Sequence, residues 1–156
     1  MRILGIDPGA SGAFALFDTN NHELIIIDMP IVLQKRNKIM KRHTSAPDVA
    51  AQLKPFKIDQ AICEKVGAMP GQGVSSMFAF GRAVGVVEGV LAGLGVPVSF
   101  VIPQVWQRAL ALEGGKNGAR LLAAQTFPNY AKEFSRVKDN GRADAALIAL
   151  YGSRNI

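Results

Sequence analysis

Cysteine is almost missing from this chain. Cys63 stands alone among 156 residues, which excludes an internal disulfide framework and a cysteine-built zinc site and makes a reducing compartment the natural setting. Histidine is nearly as scarce: His22 and His43 lie far apart without the spacing of a metal-binding pair, and neither is assigned a role. No internal repeat, low-complexity tract or linker interrupts the sequence, so residues 1–156 are read as a single domain. The first apolar run is cut short by Asp7, which excludes a signal peptide, and the expected setting is cytoplasmic. Acids are in the minority, 12 against 18 Lys and Arg; the net charge of +6 and pI near 9.8 favour a polyanionic partner. What remains is ample for a core, with 49% of residues apolar and 19% charged.

The most informative stretch is MRILGIDPGASG at the start. Arg2 to Ile6 reads as a buried strand, Pro8, Gly9 and Gly12 mark a tight reversal, and Asp7 falls at the strand's end. A carboxylate drawn partly out of water needs a cation or donors, so this acid marks a metal or phosphate site or else caps its own turn. Ala13 to Asp18 and Glu23 to Asp28 follow as two further strands, giving an antiparallel meander. Between Met29 and Pro47 the chain carries Lys35, Arg36, Lys38, Lys41 and Arg42 without an acid, a basic loop that either tracks a phosphate backbone or is simply solvated.

A short helix that Ser45, Pro47 or Asp48 would start and Pro55 would stop leads to a fourth strand, Asp59 to Val66, whose alternation puts Ile62 and Glu64 on one face and Ala61 and Cys63 on the other. From about Ser75 to Gly95 a long helix carries Gly81, Gly85, Gly89 and Gly93 on one stripe. Each interior glycine costs about 1 kcal/mol relative to Ala, which points to close backbone packing against a helix of this subunit or of a second one. Arg82 and Glu88 interrupt its apolar run and argue against a membrane span. Val98 to Ile102 is a fifth strand, and the remainder is helical: Gln104 to Leu112, Lys116 to Thr126, and a last helix from Gly141 to Tyr151 that places Asp144 on a stripe with Leu147, Ile148 and Tyr151.

Three acids therefore interrupt apolar surface: Asp7, Glu64 and Asp144. If a helical crossover makes the first and fourth strands parallel neighbours, Asp7 and Glu64 emerge side by side, and a helix on that sheet adds Asp144. Three acids without His or Cys form a hard oxygen site suited to Mg²⁺ or Mn²⁺. A pair of such ions about 4 Å apart activates water and stabilises the leaving oxygen in phosphodiester cleavage.

In GIDPG at Gly5 to Gly9, CEKV at Cys63 to Val66, FGRAVG at Phe80 to Gly85 and ADAALIAL at Ala143 to Leu150, in that order and nearly spanning the chain, the sequence resembles the RuvC-type Holliday-junction resolvases of the RNase H-like superfamily, particularly the phage and prophage branch. The resemblance implies an α/β, RNase H-like fold with a five-stranded mixed sheet in the order 3-2-1-4-5 flanked by helices. It also implies a homodimer, joined through the long helix at residues 75–95, that cuts four-way junction or other branched DNA symmetrically with Mg²⁺ or Mn²⁺, two ions per site. Carried over, Asp7, Glu64 and Asp144 match the family's metal-binding acids. A further family acid falls three residues before the last, where this chain has Gly141; the candidate becomes Asp139, which is also placed to cap the final helix, with Asn140 as another ligand candidate. The aromatic that commonly follows the second acid is replaced by Gly67, leaving Met69 as a candidate wedge, and a family lysine in a Gln-Val-Lys-Gln context is replaced by Trp106. The downstream lysine is matched by Lys116, expected at a scissile phosphate. Lys35, Arg36, Lys38, Lys41, Arg42, Met69, Arg82 and Lys116 are the expected DNA contacts.

Overall fold

The computed structural model describes residues 1–36, 38–67 and 70–155; Met69 lies outside the described residues, as do the side chains of Arg36 and Lys116. Strand β1 (Arg2–Asp7) pairs antiparallel with β2 (Ala13–Asp18), and β2 pairs antiparallel with β3 (Leu24–Asp28). On its other side β1 runs parallel to β6 (Gln60–Glu64), which in turn runs parallel to β7 (Val98–Val101). The order β3-β2-β1-β6-β7 is the 3-2-1-4-5 arrangement of the meander and two crossover strands, once two strands outside the sheet are set aside.

Those two strands correct the sequence reading. Residues 31–44, expected as a basic loop, form a hairpin of β4 (Ile31–Arg36) and β5 (Ile39–Thr44), paired from Ile31↔Thr44 to Arg36↔Ile39. Lys38 sits in its turn at φ 65, and the amide of Ser45 donates to the carbonyl of Pro30 at 2.9 Å to close its base. The run of cations obscured the β-branched and long apolar residues, Ile31, Val32, Leu33, Ile39 and Met40, that flank the turn.

Helices cover both faces of the sheet. On one lie α1 (Ala46–Leu53) and α2 (Val74–Gly93), which pack Val49, Leu53, Val87 and Leu91 against Leu4, Ile6, Ala61 and Cys63. On the other lie α3 (Pro103–Ala109), α4 (Gly118–Thr126) and α5 (Asn140–Arg154), whose core joins Ile3, Ala15 and Ile62 to Trp106, Ala123 and Leu147. The alternation expected for β6 is therefore met, with Ile62 and Cys63 in opposite cores. Cys63 is buried, and desolvation pushes its thiol up to about 12, so it behaves as a small apolar side chain.

Helix α5 lies unusually close to β1. A Cβ built on Gly5 would collide with the carbonyl oxygen of Ala145 and the amide nitrogen of Ala149, and would stand 2.9 Å from the Ala149 Cβ. Ala143, Ala145, Ala146 and Ala149 are all fully buried, so small residues on the helix meet a missing side chain on the strand. Gly5→Ala should therefore destabilise the protein by about 3 kcal/mol or more through overpacking. Urea unfolding checks this: the midpoint should fall with an unchanged slope, and a midpoint within error of wild type would contradict the close approach.

Candidate active site

Parallel pairing places Ile6 opposite Cys63, so Asp7 and Glu64, the next residue on each strand, leave the sheet side by side. Strand alternation turns both toward the α5 face, since Ile3 and Ile62 point that way. The first turns of α5 close over them, and a cleft beside the β1–β2 loop is lined by Asp7, Ser11, Phe80, Asn140, Gly141 and Asp144. The loop is tightly made: Gly12 N–H donates to the Gly9 carbonyl at 3.0 Å, and Gly9 adopts φ 140, where a side chain would be strained. A Cβ at Gly9 would also lie 3.2 Å from the Phe80 ring, so the FGRAVG segment of α2 packs directly on this turn.

The electrostatics identify the three acids as one group. Burial, then the charges of Asp144 and Glu64, push Asp7 up to about 8. Burial and Glu64 push Asp144 up to about 7. Glu64 is raised by burial, but less freely, because the indole N–H of Trp106 donates to its Oε2 at 2.9 Å. Burial and neighbouring negative charge both favour the protonated form, and a cation placed between these carboxylates would favour the charged one. Among the described residues no three His, Cys, Asp or Glu side chains form a closed cage at ligand distance.

For the divalent ions that the resemblance implies, this donor set fits. It is all oxygen, its acids favour a positive neighbour, and the buried Oδ1 of Asn140 in the same cleft has no hydrogen-bond partner among the described residues.

Asp139 is placed differently. It is 1% exposed, and both of its oxygens are taken by Arg136: Oδ2 accepts the Arg136 backbone N–H at 2.8 Å, and Oδ1 accepts Nη2 at 2.9 Å. The Arg136 hydrogen bonds hold its carboxyl below the usual range, the opposite of the Asp7 group. The structure does not bring it to the other three acids. Gly141 accounts for the lost family acid: a Cβ there would meet the Ser11 carbonyl oxygen at 2.5 Å and Asp7 Oδ2 at 3.0 Å, so the helix enters against the loop too closely for a side chain.

Among the expected DNA contacts, Lys35, Lys38 and Arg82 are exposed. Lys41 reaches Ser75 Oγ at 2.9 Å, and Arg42 donates to the carbonyl of Ala10 at 2.9 Å, anchoring the hairpin to α2 and to the β1–β2 loop. The backbone of Lys116 lies in a 3-10 turn, Gly115–Asn117. Sequence reasoning missed the role of Trp106. It recorded the indole only as a departure from a lysine, and nothing local signals a partner 42 residues away.

Fold and site define an RNase H-like fold with three carboxylates gathered where two adjacent parallel strands end. The chain is 30% identical to the crossover junction endodeoxyribonuclease RuvC of Chloroflexus aurantiacus, over 96% of this chain and 91% of that protein. It is 33% identical to the chloroplastic Holliday junction resolvase MOC1 of Chlamydomonas reinhardtii over 53% of this chain, which is 10% of that protein. Among solved structures, Thermus thermophilus RuvC in complex with a Holliday junction substrate superposes with a TM-score of 0.70 at 20% identity, covering 98% of this chain and 92% of that one. The yeast mitochondrial Holliday junction resolvase Ydc2 superposes with a TM-score of 0.58 at 18% identity, covering 98% and 78%. No family model matches. The chain belongs to the RuvC family of crossover junction endodeoxyribonucleases.

Two outcomes follow from the electrostatics. Because Asp7 and Asp144 hold protons more tightly when folded than their ordinary 3.8, the folded state binds extra protons between about pH 4 and 8. Stability of the metal-free protein should therefore fall as pH rises through that window. Thermal melts in chelator from pH 5 to 9 should show this decline in wild type and a flatter profile in Asp7→Asn; equal profiles would contradict the raised values. Trp106→Phe keeps the ring and removes the donor to Glu64, and should weaken Mn²⁺ binding about 10- to 100-fold by calorimetry. Unchanged affinity would make the indole a packing residue only.

Proposed function

We propose that this protein is a metal-dependent endonuclease that resolves four-way DNA junctions by paired phosphodiester hydrolysis, acting in a bacterial or phage-infected cytoplasm. The observation that carries the reading is the meeting of Asp7, Glu64 and Asp144, from β1, β6 and α5, at one end of the sheet with raised proton affinities. Asp7, Glu64, Asp144 and the unpartnered Asn140 would hold Mg²⁺ or Mn²⁺, two ions by analogy with phosphodiesterases of this type. When bound, the ions supply Lewis-acid polarisation of the phosphate and lower the pKa of water. Trp106 then keeps one Glu64 oxygen oriented, and Phe80 with Gly9 fixes the loop that Asp7 opens. Lys116 would serve the scissile phosphate, and Lys35, Lys38, Lys41, Arg42 and Arg82 the DNA backbone. Asp139 acts as the ion-pair partner of Arg136 in this reading.

Paired cutting requires two sites, and α2 supplies a surface for a second copy. Its Ala83, Val87 and Leu91 are buried on the sheet, while Val74 and Phe78 are 87% and 77% exposed. Among the described residues nothing lies within 4 Å of a Cβ built on Gly81, Gly85, Gly89 or Gly93, so the stripe is unfilled by this subunit. The helix is long and apolar enough by length and composition to cross a membrane, but its buried stripe belongs to the core and Arg82 and Glu88 are exposed.

The test of function is cleavage of a labelled synthetic four-way junction beside linear duplex, flap and RNA–DNA hybrid in Mg²⁺ or Mn²⁺. Paired symmetric nicks confined to the junction, lost in Asp7→Asn with binding retained, are expected. Equal cutting of flaps or hybrids would overturn junction selectivity, and no metal-dependent cutting would overturn the nuclease reading. For the dimer, Gly85→Leu should fit the isolated subunit and even favour its helix by about 1 kcal/mol. It should nonetheless halve the mass seen by light scattering and abolish paired nicking; an unchanged mass would remove α2 from the interface.

A further inference from the structure

Beside the acidic site, on the other side of the Ala10-Ser11-Gly12 loop, lies a cleft of about 320 Å³ with the opposite charge. Arg42, Arg136, Lys138 and Arg142 line it, with Asp28 and Asp139. The acids are already engaged. Arg142 grips Asp28 through Nε at 2.6 Å and Nη2 at 2.7 Å and gives Nη1 to Glu133 at 2.7 Å, so all three of its nitrogens are engaged in tying α5 to β3 and to the 3-10 segment Pro128–Phe134. Arg136 spends Nε and Nη2 on Asp139 and keeps Nη1. Lys138 is exposed and takes no part in the ion pairs that hold Asp28 and Asp139. Arg42 reaches in from the hairpin, its guanidinium oriented by the Ala10 carbonyl.

We propose that this cleft is a phosphate subsite, formed by Lys138, Arg136 and Arg42, for the phosphodiester next to the scissile one on the cut strand. The inference rests on the nuclease reading and deepens it. A site of three carboxylates repels a DNA backbone, and phosphates recur every 3.4 Å of rise along one strand, so a strand reaching Asp7 must set its next phosphate within about a loop's width. The cleft is one loop away and offers unspent cationic donors from two elements, the hairpin and the turn into α5. It also explains why Arg42 bonds the catalytic loop. The hairpin is thereby fixed relative to both the acids and the cleft, so one strand is gripped on both sides of the Ala10-Ser11-Gly12 turn.

The experiment measures binding of a four-way junction by anisotropy across salt concentrations in the full-length protein, with Lys138→Ala, Lys138→Glu and, as control, Lys54→Ala, which follows α1 on the opposite face of the sheet. Lys138→Ala should make the slope of log K against log salt shallower by about 0.9 and weaken binding several-fold, Lys138→Glu should weaken it more, and Lys54→Ala should change neither. A junction with one neutral methylphosphonate beside the mapped nick should bind wild type more weakly than the native junction. The loss should be smaller in Lys138→Ala, in which Arg136 and Arg42 remain but the lysine is gone. Wild-type slope and affinity in Lys138→Ala, or equal sensitivity of both proteins to the neutral linkage, would overturn the subsite while leaving junction cutting by wild type intact. A wild-type protein that cuts no DNA would overturn the nuclease reading itself, and this inference with it.

Discussion

The contact on which the structure depends is the close approach of α5 to β1. Gly5 offers no side chain where Ala145 and Ala149 come down on the strand, and Gly141 offers none where the first turn of α5 meets Ser11 and Asp7. Both are needed to bring Asp144, one turn into the helix, over the end of a strand whose own acid is Asp7. Side chains at those two positions would hold the helix off the strand and carry Asp144 away from Asp7. The alanine-rich segment ADAALIAL is therefore better understood as a spacing device than as a hydrophobic filler, because all four of its alanines are completely buried.

Close approach has an electrostatic cost, and the surroundings show how it is managed. Three carboxylates are brought into one field, and two of them hold their protons to about 8 and 7. Trp106, from α3 in the same core, anchors the third, Glu64, without adding charge. Asp139, only five residues before Asp144, is kept out of the same field by Arg136 and is depressed rather than raised. Two neighbouring acids on one stretch of chain thus have opposite tasks: Asp139 fastens the entry to α5, and Asp144 faces the cleft. The division follows from which one has a guanidinium at hydrogen-bond distance.

The three acids were legible because they break periodic patterns, whereas the sheet order was implied by the resemblance to a known family. Asp7, Glu64 and Asp144 each break a strand or helix pattern, and the pattern itself says which face they join. The hairpin at 31–44 was not legible as a hairpin because its cations outweighed its alternation. The Trp106–Glu64 bond joins residues 42 apart, and the open Gly stripe of α2 depends on what is missing around it, which no spacing encodes. Asp139 sat between two readings because its sequence position suits both a cap and a ligand; the Arg136 guanidinium distinguishes them only in three dimensions. The replacement of a family acid by Gly141 looked like a loss. The approach of Ser11 and Gly12 explains it as a steric requirement of this loop.

The central claim is that the raised carboxyls of Asp7 and Asp144 belong to a divalent-cation site. Calorimetric titration with Mn²⁺ at pH 6, repeated in buffers of different ionisation enthalpy, counts the protons released as the ion binds. Values of about 8 and 7 predict release of between one and two protons per protein at pH 6, declining toward zero above pH 9 and reduced by Asp7→Asn. Binding without proton release at pH 6, or release that Asp7→Asn leaves unchanged, would contradict the account.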